Sequence, residues 1–188
     1  LWVGTQNGLY RFDGHAFTEF GLKDGVPSAS LQSLHQSPDG TLWIGCSQGL
    51  WKREGNRFVK VELGLDPKFP ESLTGVQNLA SDSKGRLYVA TLRSLLVGER
   101  GRDGVWKFHG TTLDGLDKKQ VASVMVDAED EVWVGCFKSI YRLVGEKLVD
   151  SAKWAEEPRI PLQFLLKDGK GNFWARNLES LYLRKAGA

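Results

Sequence analysis

Two cysteines, one methionine, three histidines and six prolines are scattered through a chain of 188 residues. A thiol count that low excludes a disulfide-stapled mini-domain and leaves too few sulfurs for a four-cysteine zinc site. Long apolar runs are also missing. The longest candidate, Ile160 to Leu166, is interrupted by Pro161 and Gln163, well short of the roughly 20 residues a membrane helix needs. Nor does charge of one sign dominate: Lys plus Arg number 25 against 23 Asp plus Glu, a net +2 spread along the chain. That balance provides no footprint for nucleic acid or anionic lipid. No secretory leader is legible, and the chain opens in mid-pattern on Leu1. With 41% hydrophobic and 26% charged residues the chain falls in the globular range. Its length suits one domain or one array.

What is abundant is glycine, 22 residues, and aromatic side chains, 11% of the chain including seven Trp. This mixture suits short strands and tight turns. Self-similarity is plain in Leu1-Trp2-Val3-Gly4, Leu42-Trp43-Ile44-Gly45, Leu87-Tyr88-Val89-Ala90, Val132-Trp133-Val134-Gly135 and Phe173-Trp174-Ala175-Arg176. The aromatic residues are 41, 45, 45 and 41 positions apart, the period of about 40–45 residues of a four-stranded propeller blade. Six residues after the aromatic comes Gly8, Gly49, Ser139 or Ser180, then an aliphatic and an aromatic residue: Leu9-Tyr10, Leu50-Trp51, Ile140-Tyr141 and Leu181-Tyr182. In the third copy Gly104-Val105-Trp106 fits this role ten residues late, behind an insertion. A turn follows, then Phe17, Phe58, Leu113 or Leu148 seven residues past the second aromatic, a hairpin signature. Short apolar strands around Leu34, Leu79, Val124 and Leu165 precede the first aromatic in the later copies.

Each unit therefore reads as strands a, b, c and d of an antiparallel blade. Trp2, Trp43, Tyr88, Trp133 and Trp174 lie on strand b as packing residues, and Gly8, Gly49 and Gly104 turn the chain into strand c. The fold expected is all-β, a propeller fragment forming an open arc. Residues 1–20 make a partial blade without strand a; 31–61, 76–113 (with the insertion) and 121–149 make complete blades; 162–184 make a partial blade without strand d. Neither end closes a ring, so both are exposed liabilities.

The wording of the repeat, Asp39-Gly40-Thr41-Leu42-Trp43-Ile44-Gly45, Gly49-Leu50-Trp51 and Phe58, resembles the two-component regulator propeller repeat. Gly8-Leu9-Tyr10-Arg11-Phe12-Asp13-Gly14, Phe17 and Asp24-Gly25-Val26-Pro27-Ser28 carry the same resemblance. It covers nearly the whole chain and weakens in the third and fifth copies. The resemblance implies a periplasmic or extracellular sensor region of a bacterial membrane signalling protein. Its ligand would be a small molecule or carbohydrate, its partners further blades and signalling domains, and its output a histidine kinase or diguanylate cyclase beyond Ala188.

Catalytic and metal chemistry find no support in the residue pattern, and no cofactor is expected. His15, His35 and His109 occupy unrelated repeat positions, two in c–d turns and one in strand a, without ligand spacing. Cys46 and Cys136 share a repeat position two blades apart, too distant for a disulfide, whose Cα atoms lie within about 7 Å. They are expected to be separate buried thiols. Most aspartates precede glycine at turns, and none forms a calcium loop. Ser37 to Trp43 approaches the Asp-box of sialidases but is one residue short. A propeller lyase would need a convergent His and carboxylate pair on the face of the b–c and d–a connections. The candidate contact instead is the insertion within Leu92 to Asp103, read as joining strands b and c, whose Arg93, Arg100 and Arg102 would meet an anionic or polyhydroxylated ligand or a partner surface.

Overall fold

The computed structural model describes residues 1–28, 30–64, 75–91, 94–111, 121–136, 139–153 and 162–187. They form five antiparallel sheets whose strands pair in chain order. The first holds β1 (Trp2–Gly4), β2 (Leu9–Phe12) and β3 (Phe17–Phe20). The second holds β4 (Leu31–Gln36), β5 (Leu42–Cys46), β6 (Gly49–Glu54) and β7 (Arg57–Val61). The third is β8 (Val76–Ser81), β9 (Leu87–Thr91), β10 (Leu95–Arg100) and β11 (Trp106–Gly110). The fourth is β12 (Val121–Val126), β13 (Val132–Cys136), β14 (Ser139–Val144) and β15 (Lys147–Lys153), and the fifth is β16 (Phe164–Lys167), β17 (Phe173–Arg176) and β18 (Leu181–Arg184). Three sheets of four strands thus stand between two of three, and among the described residues no sheet closes on itself.

Each pair of neighbouring sheets encloses one apolar layer. Leu9 of the first packs with Ile44, Trp51 and Phe58 of the second. Trp43 and Leu50 of the second pack with Leu79, Val89 and Leu96 of the third. Tyr88 and Leu95 of the third meet Val124, Val134 and Tyr141 of the fourth, and Trp133 and Ile140 of the fourth meet Leu165 and Phe173 of the fifth. Because both faces of an interior sheet are covered, β5, β9 and β13 are buried along their full length. That is why their sequences run apolar without alternation. Trp43 and Tyr88 are 0% and 1% exposed.

The glycine two positions after the Trp follows from this stacking. A Cβ on Gly45 would strike the Val76 Cγ1 methyl and approach Val76 Cβ at 3.0 Å, in strand a of the next sheet. A Cβ on Gly4 would lie 3.1 Å from Leu34, again in the next strand a. The cross-strand partner on strand a is a short polar residue: Ser33 faces Gly45, Asn78 faces Ala90 and Ser123 faces Gly135. In the fifth sheet that pair becomes Phe164 and Arg176. Phe164 is 46% exposed and Arg176 is exposed.

The Asp24-Gly25-Val26 signature also acquires a reason. A single 3-10 turn, Leu22–Asp24, leads from the first sheet toward the second, and the Asp24 carboxylate accepts the Gly21 N–H at 2.9 Å. Gly25 then turns the chain with φ of +84°, and an added Cβ would strike the Phe58 carbonyl oxygen, with the Phe58 carbonyl carbon at 3.0 Å. Backbone on backbone cannot yield as a side chain can. Gly25→Ala is expected to cost about 3 kcal/mol, combining a left-handed backbone with overpacking. A loss of less than about 1 kcal/mol in urea unfolding would show the turn relaxing away from β7.

The third blade corrects the reading of its strand c. That strand is β10, beginning at Leu95, and β11 carrying Trp106 is strand d. Ser94 stands six residues after Tyr88, as Gly49 stands after Trp43, and the Thr91 hydroxyl closes the turn by accepting the Ser94 N–H at 3.1 Å. Leu96 occupies the place of the second aromatic, and its missing ring diverts attention to Gly104-Val105-Trp106. Gly104, φ +80°, belongs to the c–d turn, where its N–H reaches the Gly101 carbonyl at 2.9 Å. The added residues lie in that turn, Gly101 to Val105, and not between b and c. His109 accordingly sits in strand d rather than in a c–d turn. Leu113 lies outside the described residues.

Candidate functional site

The strand order puts the a–b and c–d turns at one end of every sheet and the b–c and d–a connections at the other. The a–b turns are built on one device. Asp82, Asp127 and Asp168 stand six residues before Tyr88, Trp133 and Trp174. Each carboxylate uses one oxygen to accept two backbone N–H groups of its own turn; for Asp127 these come from Glu129 at 3.1 Å and Glu131 at 2.9 Å. The second oxygen accepts from the strand b aromatic: Tyr88 hydroxyl at 3.1 Å, Trp133 Nε1 at 2.8 Å, Trp174 Nε1 at 3.0 Å. In the second sheet Ser37 replaces the aspartate and accepts from Trp43 Nε1 at 3.0 Å while donating to Asp39 at 2.6 Å. Sequence inspection took Asp127 with the turn aspartates and gave Asp82 and Asp168 no role, so the pairing of the three carboxylates with their strand b aromatics was missed. Their spacings of 45 and 41 residues, equal to those of the aromatics, were the available signal.

Neighbouring sheets are tied through the same turns. Lys167, the last residue of β16, reaches across to the Asp127 carboxylate at 2.6 Å, and its ammonium lies 5.2 Å from the centroid of the Trp133 ring. Burial pushes the Asp127 carboxyl up, but the bonds from Lys167 and Trp133 outweigh it and hold it below the ordinary value of 3.8. Asp130, with φ of +60°, accepts the Ser83 N–H at 3.0 Å and the Ser83 hydroxyl from the next turn. For Asp168, bonds from the Asn172 and Trp174 side chains draw the carboxyl far down. Burial, and then the Asp82 charge, push the Tyr88 hydroxyl well up. These groups are committed to holding turns and indoles, so they are poor candidates for proton transfer. Asp127→Ala is expected to cost about 2 kcal/mol at neutral pH, from lost bonds and a stranded indole N–H. A carboxyl lowered in the fold stabilises above its unfolded value, and that gain drains as pH falls through the lowered one. The gap between wild type and variant should therefore close below about pH 4 in acid titrations followed by circular dichroism.

Of the three arginines proposed from sequence, two are described. Arg100 ends β10 and Arg102 lies in the c–d turn, so both are on the face of the tight turns. Arg93 lies outside the described residues. Arg100 approaches Asp39 of the second sheet at 4.0 Å. His35 lies in strand a, half-buried against Ser81 Oγ at 2.7 Å, and burial holds its pKa below the ordinary value. Cys46 and Cys136 are both buried, and burial pushes the Cys46 thiol up. Among the described residues no three His, Cys, Asp or Glu side chains come together as a metal site, and no helix is long and apolar enough to cross a membrane.

On the turn face, between the first and second sheets, is a cleft of about 280 Å³ whose walls include Trp2, Gln36, Asp39 and Arg53. Trp2 makes a T-shaped contact with Phe58, centroids 6.3 Å apart, and carries the Arg53 guanidinium at 5.3 Å and that of Arg11 at 5.9 Å. Among the described residues, Arg53 Nε is closed off from solvent without a hydrogen-bond partner. Sequence reasoning did not reach this cleft, because it forms only where two repeats 41 residues apart are stacked.

No family model matches the chain and no curated protein sequence matches it; its likenesses are structural. The extracellular domain described as that of the hybrid two-component system BT4673 of B. thetaiotaomicron superposes on 97% of the chain with a TM-score of 0.76 and 18% identity. The corresponding domain of BT3049 from the same organism covers 97% with a TM-score of 0.69 and 15% identity. A streptogramin B lyase covers 97% with a TM-score of 0.70 and 15% identity. The chain spans about a quarter of the length of the two extracellular domains and 63% of the lyase. It has the β-propeller fold. More particularly, its five sheets superpose on an arc of those two extracellular domains.

Proposed function

We propose that this arc is a non-catalytic, extracytoplasmic sensor module of a bacterial signal-transduction protein, binding a small-molecule or carbohydrate ligand or a partner through its turns and loops. The observation that carries the reading is the superposition of nearly the whole chain on two extracellular sensor domains, together with the repeat resemblance in Asp39 to Phe58. On this reading the polypeptide joins further blades and an output domain of kinase or cyclase type. The stiff, doubly covered sheets supply a scaffold, and exposed Arg100 and Arg102 supply cations suited to anionic or polyhydroxylated groups. The lyase likeness favours a rival, but the described histidines sit in three different sheets and His35 is occupied by Ser81.

The test is a thermal-shift screen of the chain against neutral and acidic oligosaccharides, run beside an assay for ring opening of a streptogramin B. Stabilisation by an oligosaccharide, weakened by the pair Arg100→Ala and Arg102→Ala or by Arg93→Ala, supports the sensor reading. Turnover of the antibiotic overturns it.

A further inference from the structure

We infer that the joint between the second and third sheets is a pH-sensitive switch, closed at neutral pH by His35 and Ser81 and loosened when the imidazole is protonated. The inference stands on the geometry of two complete sheets and does not depend on the sensor reading. His35, the last residue but one of β4, and Ser81, the last of β8, bring Nε2 and Oγ within 2.7 Å of each other across the joint. The ring is half-buried, and its cross-strand neighbour is Trp43, which is wholly buried in the apolar layer between the two sheets. Toward the opposite end of the same two strands Gln77 Nε2 donates to Gln32 Oε1 at 2.9 Å. The joint thus has a polar tie at each end, and of these two only the one on the turn face can change charge near neutrality.

The strands around the ring offer no charge to balance an imidazolium. β1, β5 and β8 pack against β4, and none of the four carries a Lys, Arg, Asp or Glu. Their one other titratable group, Cys46, pairs with Leu31 at the far end of β4. In the adjoining turns Asp39 accepts from the Ser37 hydroxyl and the Thr41 N–H and lies 4.0 Å from Arg100, while Asp82 accepts from Arg86 and the Tyr88 hydroxyl. Lys84, in the turn after Ser81, has the same sign as a protonated ring, and Lys52, one strand beyond Trp43, is paired with Glu54 at 2.8 Å. Burial accordingly holds the His35 pKa below the ordinary 6.5. A base lowered in this way leaves the closed joint at full strength above about pH 6.5 and weakens it progressively as pH falls below that value, because the opened, hydrated ring binds the proton more readily. The next two joints are tied by groups that keep one charge state through this range. Asn78 Oδ1 accepts the Val124 N–H, Asp130 accepts from Ser83, and Asp127 accepts from Lys167. Ser83 holds the Asp130 carboxyl below its ordinary value, as Lys167 and Trp133 hold that of Asp127 against burial. Mild acid therefore loosens the joint between the second and third sheets and leaves the later sheets coupled.

Two measurements on the whole chain test this. The His35 imidazole is assigned through its bonds and titrated by NMR, and hydrogen exchange of each strand is followed by mass spectrometry at about pH 7.5 and about pH 5, corrected for the intrinsic rate. The imidazole midpoint is expected below 6.5. Between the two pH values protection of β4 and β8 should fall by at least about threefold in the wild type, while β12 and β13 stay as they were. His35→Gln, which keeps a neutral polar group opposite Ser81, should abolish the fall in β4 and β8. A midpoint at or above 6.5 overturns the inference. So does a loss of protection spread evenly over all the sheets, or one equally large in His35→Gln and wild type. The imidazole midpoint and the comparison among strands need only the wild type, so they decide the matter even where His35→Gln fails to fold.

Discussion

Gly45→Ala is expected to destabilise the chain by about 3 kcal/mol, the upper end of the range for overpacking a dense core. One methyl group does this because of where it points. The new Cβ would meet Val76 Cγ1 in hard contact, Val76 Cβ at 3.0 Å and the Val76 carbonyl oxygen at 3.3 Å, so strand a of the third sheet must move. In a stack where each sheet rests on its neighbours, a displaced interface is felt as lost coupling between the parts on either side. Urea unfolding followed by circular dichroism should then become broader or biphasic. Adding Val76→Ala removes the Cγ methyls and should recover a clear part of the loss, a non-additivity that a double-mutant cycle measures. Equal losses from Gly45→Ala with and without Val76→Ala would place the cause in the backbone of β5 rather than in the contact.

Trp43→Ala should cost more, about 3–5 kcal/mol, the range for emptying a buried aromatic site. Trp43 is 0% exposed, stands edge-on to Trp106 of the third sheet at 4.9 Å between centroids, and donates its indole N–H to Ser37. Its removal opens a cavity between two sheets and strands the polar cluster of the a–b turn together. Trp43→Phe separates these contributions. It keeps most of the packing and loses only the hydrogen bond, for a cost of about 1 kcal/mol. Should Trp43→Phe prove as harmful as Trp43→Ala, the Ser37 and Asp39 network, and not the packing, would be what strand b depends on.

The contrast between the fourth and third blades shows how far the sequence can be read. In the fourth, Trp133, Ser139, Ile140 and Tyr141 stand at their repeat spacings, and β13 and β14 begin where those residues predict. In the third, Leu96 fills the aromatic position of strand c, and a Trp ten residues later lies on strand d. Burial on both faces demands an apolar side chain there but not a ring, so a motif search keyed to rings slips by one strand. The placement of Arg100 and Arg102 slipped with it. Ser94, at the regular six-residue interval, was the local feature that held the register.

The sequence by itself determined the all-β character, the four-stranded unit and the open phase of the arc, because covered sheets and tight turns impose strict demands on residues a few positions apart. Only the tertiary structure decided which turns touch, that Asp127 is shared by Trp133 and Lys167, and that Trp2 and Arg53 line one cleft. Those relations join residues some forty positions apart through the stacking of one sheet on the next, a geometry that no local pattern encodes.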